Sequence, residues 1–210
     1  MSGECPILFE TSNKMKKVTL TFLIAFLTII LYGQEFKISV APTINNTFYY
    51  QFVAGGAGRN FKSGFSTSLE YTIRNDKRIN FGFGLSYQFC QVEYTPNMNT
   101  GDFIGQTDKV NLISINLISV FNLKKNFYLS LNPLIDFHLN YDSENLIDKQ
   151  SGCGLSFSFG KLFELNDRIQ LNLEPKLWIH NIISSYNNNL TERLTVAGLN
   201  VGLVFGYKNE

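Results

Sequence analysis

The feature that most restricts this chain is an alternation of apolar and polar residues with a period of two. From 129 to 140 the odd positions are Leu129, Leu131, Pro133, Ile135, Phe137 and Leu139. The even positions are Ser130, Asn132, Leu134, Asp136, His138 and Asn140. Residues 169–180 and 79–90 repeat the pattern. Successive side chains of a strand point to opposite faces, so this period describes a strand with one apolar and one polar side. No segment after Glu35 carries the period of about 3.6 that an amphipathic helix needs.

Weaker copies run over 36–41, 65–73, 113–121, 155–160 and 199–207, which makes eight candidate strands. In the segment over 113–121, Leu112, Ile118 and Val120 blur the polar face. Several strands approach the roughly 9–11 residues that a tilted strand needs to cross a bilayer. The connections alternate in length. Residues 74–78, 123–126 and 164–167 are short and polar; 43–61, 92–108, 142–150 and 184–192 are longer and rich in Asn, Gly and Thr. Short periplasmic turns and long external loops are the habit of outer-membrane barrels. The expected fold is therefore all-β: an eight-stranded antiparallel up-and-down transmembrane β-barrel, preceded by a signal peptide. Its long loops, 43–61 and 92–108 above all, should face outside the cell. Aromatics collect at the two ends. Phe36, Tyr71, Phe121, Phe127, Phe163, Phe205 and Tyr207 lie toward the short turns; Tyr87, Phe89, Phe137 and Tyr141 lie toward the long loops. Rings in this arrangement sit at headgroup level.

The barrel domain should span 34–210. Before it, Met15, Lys16 and Lys17 form a short positive region, and 18–32 is an uncharged, mostly apolar run. That run is short for a spanning helix, which takes about 20 residues, and suits a signal peptide over 15–33 cut between Gly33 and Gln34. Residues 1–14 fit neither a targeting segment nor a strand and read as an over-early translation start or a disordered extension.

Composition removes several functions. A net charge of +1 with scattered basic residues gives no footprint for nucleic acid. Of the three cysteines, Cys90 and Cys153 remain in the barrel, on opposite faces of its wall, so no disulfide is expected. No Cys/His spacing suggests a metal, and no cofactor is expected.

Lumen positions are where a barrel of this kind would keep chemistry. The charged and imidazole groups on the polar faces are Lys37, Glu70, Asp136, His138, Glu174, Lys176 and His180. One reading makes a histidine the general base of a lipid hydrolase, since Asp136 and His138 are neighbours on one face. No serine stands beside a glycine elbow to complete it. The stronger reading is a structural network filling a narrow bore, with Lys37 and Glu70 a candidate pair. Gly82, Gly84, Gly152, Gly154, Gly160, Gly198, Gly202 and Gly206 fall mostly on the lumen side and leave room for bulky partners such as Trp178. Pro133 and Pro175 fall inside strands. Having no N–H, each should bring a local bulge or a lost ladder bond.

The run from Gln34 to Tyr207 resembles the PorT-like outer-membrane β-barrel family. The likeness rests on NLISINLI over 111–118, where Ser114 and Asn116 stand in place of an acidic residue and a proline. It rests also on LNLEPKLWIHNI over 171–182, with Leu173 and Glu174, and on the Gly-rich closing VGLVFGYK over 201–208. The resemblance implies an eight-stranded barrel in the outer membrane and keeps a role in secretion assembly open.

The leading expectation is a structural or interaction protein of the bacterial outer membrane, without an open pore. Its strands would anchor it in outer-membrane lipid and its external loops would meet a protein partner. The alternatives are an outer-membrane lipid-modifying enzyme of deacylase or phospholipase type, and a secretion-assembly factor. A soluble barrel with an apolar pocket would need its apolar face inward, which a lumen this polar does not suit.

Overall fold

The computed structural model describes residues 34–48, 58–73, 78–95, 106–142, 147–185 and 192–206. The expectations for 1–14, for the signal peptide over 15–33 and for Tyr207 lie outside these residues. Strands follow one another as β1 (Gln34–Phe48), β2 (Gly58–Phe61), β3 (Gly64–Ile73), β4 (Ile79–Thr95), β5 (Gln106–Asn122), β6 (Phe127–Leu139), β7 (Gly152–Asn166), β8 (Ile169–Ser184) and β9 (Arg193–Phe205). Both β2 and β3 pair with β4, and between them Lys62 N–H still donates to Gln91 O at 3.0 Å. They are two halves of one stave, so the nine strands make eight staves.

Each stave pairs antiparallel with its neighbour in sequence, and β1 pairs with β9, which closes the wall. The register can be followed round it. Phe36 lies opposite Tyr71, then Phe83, then Leu117. The flanking pairs set Leu117 opposite Pro133, which leads to Leu155, Ile179 and Thr195 and returns to β1 at Asn46. From Phe36 to Asn46, one circuit shifts the register by ten residues. With about 3.3 Å per residue and about 4.8 Å between strands, that shift over eight staves tilts the strands by roughly 40° at a wall radius of roughly 8 Å. Closure satisfies the backbone without an exposed edge, as a bilayer demands.

The alternation falls as expected. The odd residues of β6 and β8 face outward, with Leu131, Ile135, Phe137 and Leu177 exposed; Asn132, Asp136, Asn172, Glu174 and Lys176 face inward and are buried. Aromatics pair across staves on the outside, with ring centroids 5.1 Å apart for Tyr71 and Phe83 and 5.6 Å for Phe65 and Phe89. Cys90 is buried, Cys153 is exposed, and both are free.

The prolines are accommodated by lost ladder pairs. Next to Pro133 the β5–β6 pairing is interrupted between Asn116–Leu134 and Val120–Ser130, and Asn132 Oδ1 accepts the Ser119 N–H at 3.2 Å. Next to Pro175 the β7–β8 pairing is interrupted between Ser158–Lys176 and Lys161–Leu173, with no change of register. Pro42 leaves a similar gap toward β9.

Four expectations need correction. Strands run further than the sequence suggested: β1, β4 and β5 extend into both long loops, and β2 lies inside the first of them. Their outer ends carry Asn, Gln and Glu because they stand beyond the apolar band, so alternation fades while pairing continues. The turn assigned to 164–167 is shorter, since β7 continues to Asn166, whose Oδ1 caps Arg168 N at 2.9 Å and Ile169 N at 2.8 Å. The segment 142–150 is not wholly external: Ile147 and Gln150 are fully buried in the barrel mouth. The lumen is not polar throughout, for Cys90, Val92, Val110, Leu112, Leu194 and Val196 form an apolar cluster with Ile147 and Trp178 inside the wall. The blur noted around Leu112 is part of this cluster.

Candidate functional site

The inward positions of eight tilted strands converge on a bore too narrow to stay empty, and the side chains there are ordered in layers. At the short-turn end is a vestibule of about 500 Å³, lined by Glu35, Arg78, Asn80, Tyr128, Glu164 and Gln170 among others, with Lys37 and Glu70 at its floor.

That floor is a quartet of charges from three staves. Lys37 and Glu70 lie directly opposite in register on β1 and β3, and Lys37 Nζ stands 2.6 Å from Glu70 Oε2. The same ammonium lies 2.7 Å from Glu174 Oε2 on β8. Lys176, two residues along β8, reaches Glu70 Oε1 at 3.1 Å. Two positive and two negative groups therefore neutralise one another across the bore. Polar neighbours hold the carboxylates: Asn172 Nδ2 donates to Glu174 Oε2 at 3.1 Å and Ser68 Oγ to Glu70 Oε1 at 3.3 Å. Tyr128 OH donates to Asn172 Oδ1 at 2.7 Å, and its ring lies 5.9 Å below Lys37 Nζ. Gly160 makes that ring placement possible: a Cβ there would sit 2.2 Å from Tyr128 Cζ. Glycine thus opens space for Tyr128 at this point, whereas Trp178 stands opposite Ser156 and Val196. The faces of Lys176 and Trp178 also meet, with Nζ 5.4 Å from the ring centroid.

Further toward the long loops comes a belt of hydroxyls and amides. Ser39 and Ser68 are 2.7 Å apart, Ser130 and Ser158 are 2.5 Å apart, and Asn132 Nδ2 donates to Ser156 Oγ at 3.3 Å. Next stands His180. Its Nε2 is 2.7 Å from Gln88 Oε1, and its Nδ1 is 3.1 Å from Asp136 Oδ2, off the line of a regular hydrogen bond. Asp136 also accepts from Ser114 Oγ at 2.5 Å. Beyond His180 the wall bulges: two steps of β7, Cys153 to Leu155, face four of β8, Ile179 to Ile183, and Asn181 adopts φ 54°. The bulge turns Asn181 inward after His180, and its Nδ2 donates to Lys149 O at 3.1 Å.

The mouth is closed by the apolar cluster and by 147–151 folded over it. Gln150 Nε2 donates to Asp148 O and to Glu192 O, both at 2.8 Å, while its Oε1 accepts Leu194 N–H at 2.9 Å. His138 belongs here: its Nδ1 accepts Gln150 N–H at 3.2 Å. Ile147 N–H donates to Asp108 Oδ2 at 3.0 Å.

Six of the seven inward residues singled out from sequence come together: Lys37, Glu70, Glu174 and Lys176 as the quartet and Asp136 with His180, while His138 stands apart. Adjacency along one strand suggested Asp136 with His138, but the structure pairs Asp136 with His180 across the bore. The two-residue step from Asp136 to His138 along β6 carries them to different layers. Gln88, Ser114, Tyr128 and Asn172 were readable as inward by parity, yet nothing in the sequence marked them as bonded to the charges. Gln150 had no signal, because loop residues carry no period. Around His180 the described residues form no nucleophile–base pair: its outer nitrogen meets the amide oxygen of Gln88, and Ser114 binds the Asp136 carboxylate instead of the ring.

A closed antiparallel wall with an apolar exterior and a filled polar bore defines a small transmembrane β-barrel. No protein-family model matches the chain, and no curated protein does. Solved structures do match. Outer membrane protein OprG from Pseudomonas aeruginosa aligns at TM-score 0.50 and 13% identity over 83% of this chain and 96% of its own. Outer membrane protein AlkL, solved in lipid bilayers, aligns at TM-score 0.50 and 8% identity over 84% of this chain and 92% of its own. At these identities the likeness is one of fold. The chain is a small eight-stranded barrel of the bacterial outer membrane, similar in fold to these two proteins.

Proposed function

We propose that this barrel is a non-conducting anchor for an interaction surface: the strands hold it in outer-membrane lipid and the external rim meets a protein partner. The observation that carries this reading is the bore itself, filled in series by the charge quartet, the hydroxyl and amide belt, the His180 layer and the apolar plug. Eight staves leave room for side chains and little else, whereas aqueous channels take about 16–18 strands. The resemblance to PorT-like barrels favours a partner in secretion assembly within the same reading. A lipid-modifying activity is the weaker alternative, since His180 has no hydroxyl at its outer nitrogen.

Three measurements test it. Purified, refolded protein should give no steady conductance in a planar bilayer at neutral pH and moderate salt. A reproducible, protein-dependent channel overturns the reading. Vesicles of phosphatidylethanolamine should release no fatty acid with the protein present; protein-dependent release that is lost in His180→Ala favours the enzyme. Photo-crosslinking side chains at Asn97 and Gly101 should yield a discrete protein adduct on intact cells, and their yielding none removes the partner.

A further inference from the structure

The outward face of the wall carries one charge where lipid is expected. Lys161 lies on β7 in step with the exposed Phe157, Phe159 and Phe163, so its side chain leaves the wall on the lipid side. Among the described residues it is the single charged side chain in outward register from the periplasmic aromatic belt to the external one. Lys109 and Glu93, the next outward charges, stand beyond the external belt on the extended ends of β5 and β4.

A bare ammonium facing acyl chains is costly. For lysine on a barrel wall the penalty is largest at the midplane and falls steeply toward the interface. The geometry shows how Lys161 escapes it. Its Nζ lies 4.9 Å from the ring centroid of Phe127 and 4.9 Å from that of Phe163. Phe127 opens β6 directly after the short turn, and Phe163 lies two residues nearer the short-turn end than Lys161. The side chain therefore bends toward the periplasmic edge and rests its charge between two ring faces. No carboxylate among the described residues pairs with it. The 3-10 turn Lys124–Asn126 packs against β7 on this side and brings Lys124 and Lys125, both exposed. Three cations thus gather at the level where the periplasmic leaflet presents its headgroups. Outward Leu129, Phe159 and Leu173 offer apolar wall directly above.

We propose that Lys161, held between Phe127 and Phe163, binds the phosphate of a glycerophospholipid of the periplasmic leaflet, with Lys124 and Lys125 adding attraction and the wall above receiving an acyl chain. The two rings flank the ammonium without pairing its charge, and the anion that a membrane surface offers such a group is a lipid phosphate diester. The inference rests on the transmembrane orientation of the barrel and not on the filled lumen or on a protein partner.

The test is native mass spectrometry of the full barrel in detergent, titrated separately with phosphatidylglycerol, with diacylglycerol lacking phosphate, and with glycerol phosphate lacking chains. Each variant is first checked for heat-modifiable gel mobility, so that only closed barrels are compared. The wild type should retain phosphatidylglycerol in preference to both fragments. Lys161→Gln should weaken that adduct about fivefold, the equivalent of about 1 kcal/mol for one basic residue at a lipid surface. Lys161→Arg should keep it, and Lys62→Gln, which removes an exposed partner of Glu93 at the other end, should leave it unchanged. Equal retention of diacylglycerol, or no loss in Lys161→Gln, overturns the proposal. Binding of glycerol phosphate as tight as that of the lipid overturns the lipid assignment and marks a site for soluble phosphate.

Discussion

Glu70 is the residue on which the bore depends most. Both lysines of the quartet bind it, Lys37 at 2.6 Å and Lys176 at 3.1 Å, and its side chain is buried. Removing one partner from a buried ion pair costs about 3–5 kcal/mol, because a charge is left without its counter-charge. Glu70→Gln should therefore destabilise the barrel by about that amount in equilibrium urea unfolding from lipid vesicles. Adding Lys176→Met to Glu70→Gln should recover part of the loss, since the quartet then loses one charge of each sign. A double variant less stable than the single one would mean that Lys176 is held by something other than Glu70. The pair Lys37 and Glu70 was legible in the sequence because both are inward by parity and lie at matching distances from one short turn. The links to Glu174 and Lys176 were not, because strands far apart in the chain meet across the bore only after tilt and closure set their heights. The same reason explains Asp136. Along one strand His138 is its neighbour, yet across the bore His180 is nearer.

At the scale of elements, strands with a clean period were legible and segments beyond the membrane were not. Residues 129–140 and 169–180 alternate because one side meets lipid and the other a polar bore, and β6 and β8 lie over them. Where strands leave the bilayer, both faces meet water, the period fades, and β4 and β5 continue unseen to Thr95 and from Gln106. The prolines were legible for a similar local reason: a missing N–H must cost a ladder bond, and the gaps in β5–β6 and β7–β8 are that cost. The plug was not legible. Residues 147–151 close the mouth through side-chain to backbone bonds that have no sequence period, and Gln150 makes three of them. Gln150→Ala should free this segment while leaving the wall closed. Removing one buried acceptor costs about 1–3 kcal/mol locally, so exchange of the Leu194 amide proton should speed up about tenfold or more. Amides in the middle of β6 and β8 should be unaffected. Uniform acceleration through the barrel would mean that the plug holds the wall together, and no change at Leu194 would mean that water or another group replaces Gln150.

For the whole molecule, the tilt, the even number of staves and the alternation of connections make one consistent orientation. Eight staves return the chain ends to the same side: Gln34 opens β1 and Phe205 closes β9 at the end that also carries the Lys124–Asn126 turn and the Asp167–Arg168 turn. That end holds the vestibule and the outward lysine of β7; the other holds the long connections and the plug. Outer-membrane barrels keep their short turns in the periplasm and their long loops outside. A single cysteine at Gly56, between β1 and β2, should therefore react with an impermeant maleimide on intact cells. One at Lys124 should react only after the outer membrane is permeabilised. Both variants should be made with Cys90 and Cys153 replaced by serine, since Cys153 is exposed on the wall and would give background. Should Lys124 label on intact cells and Gly56 not, the barrel stands the other way up. The plug would then face the periplasm, Lys161 would lie in the external leaflet, and the loops proposed for a surface partner would have none to meet.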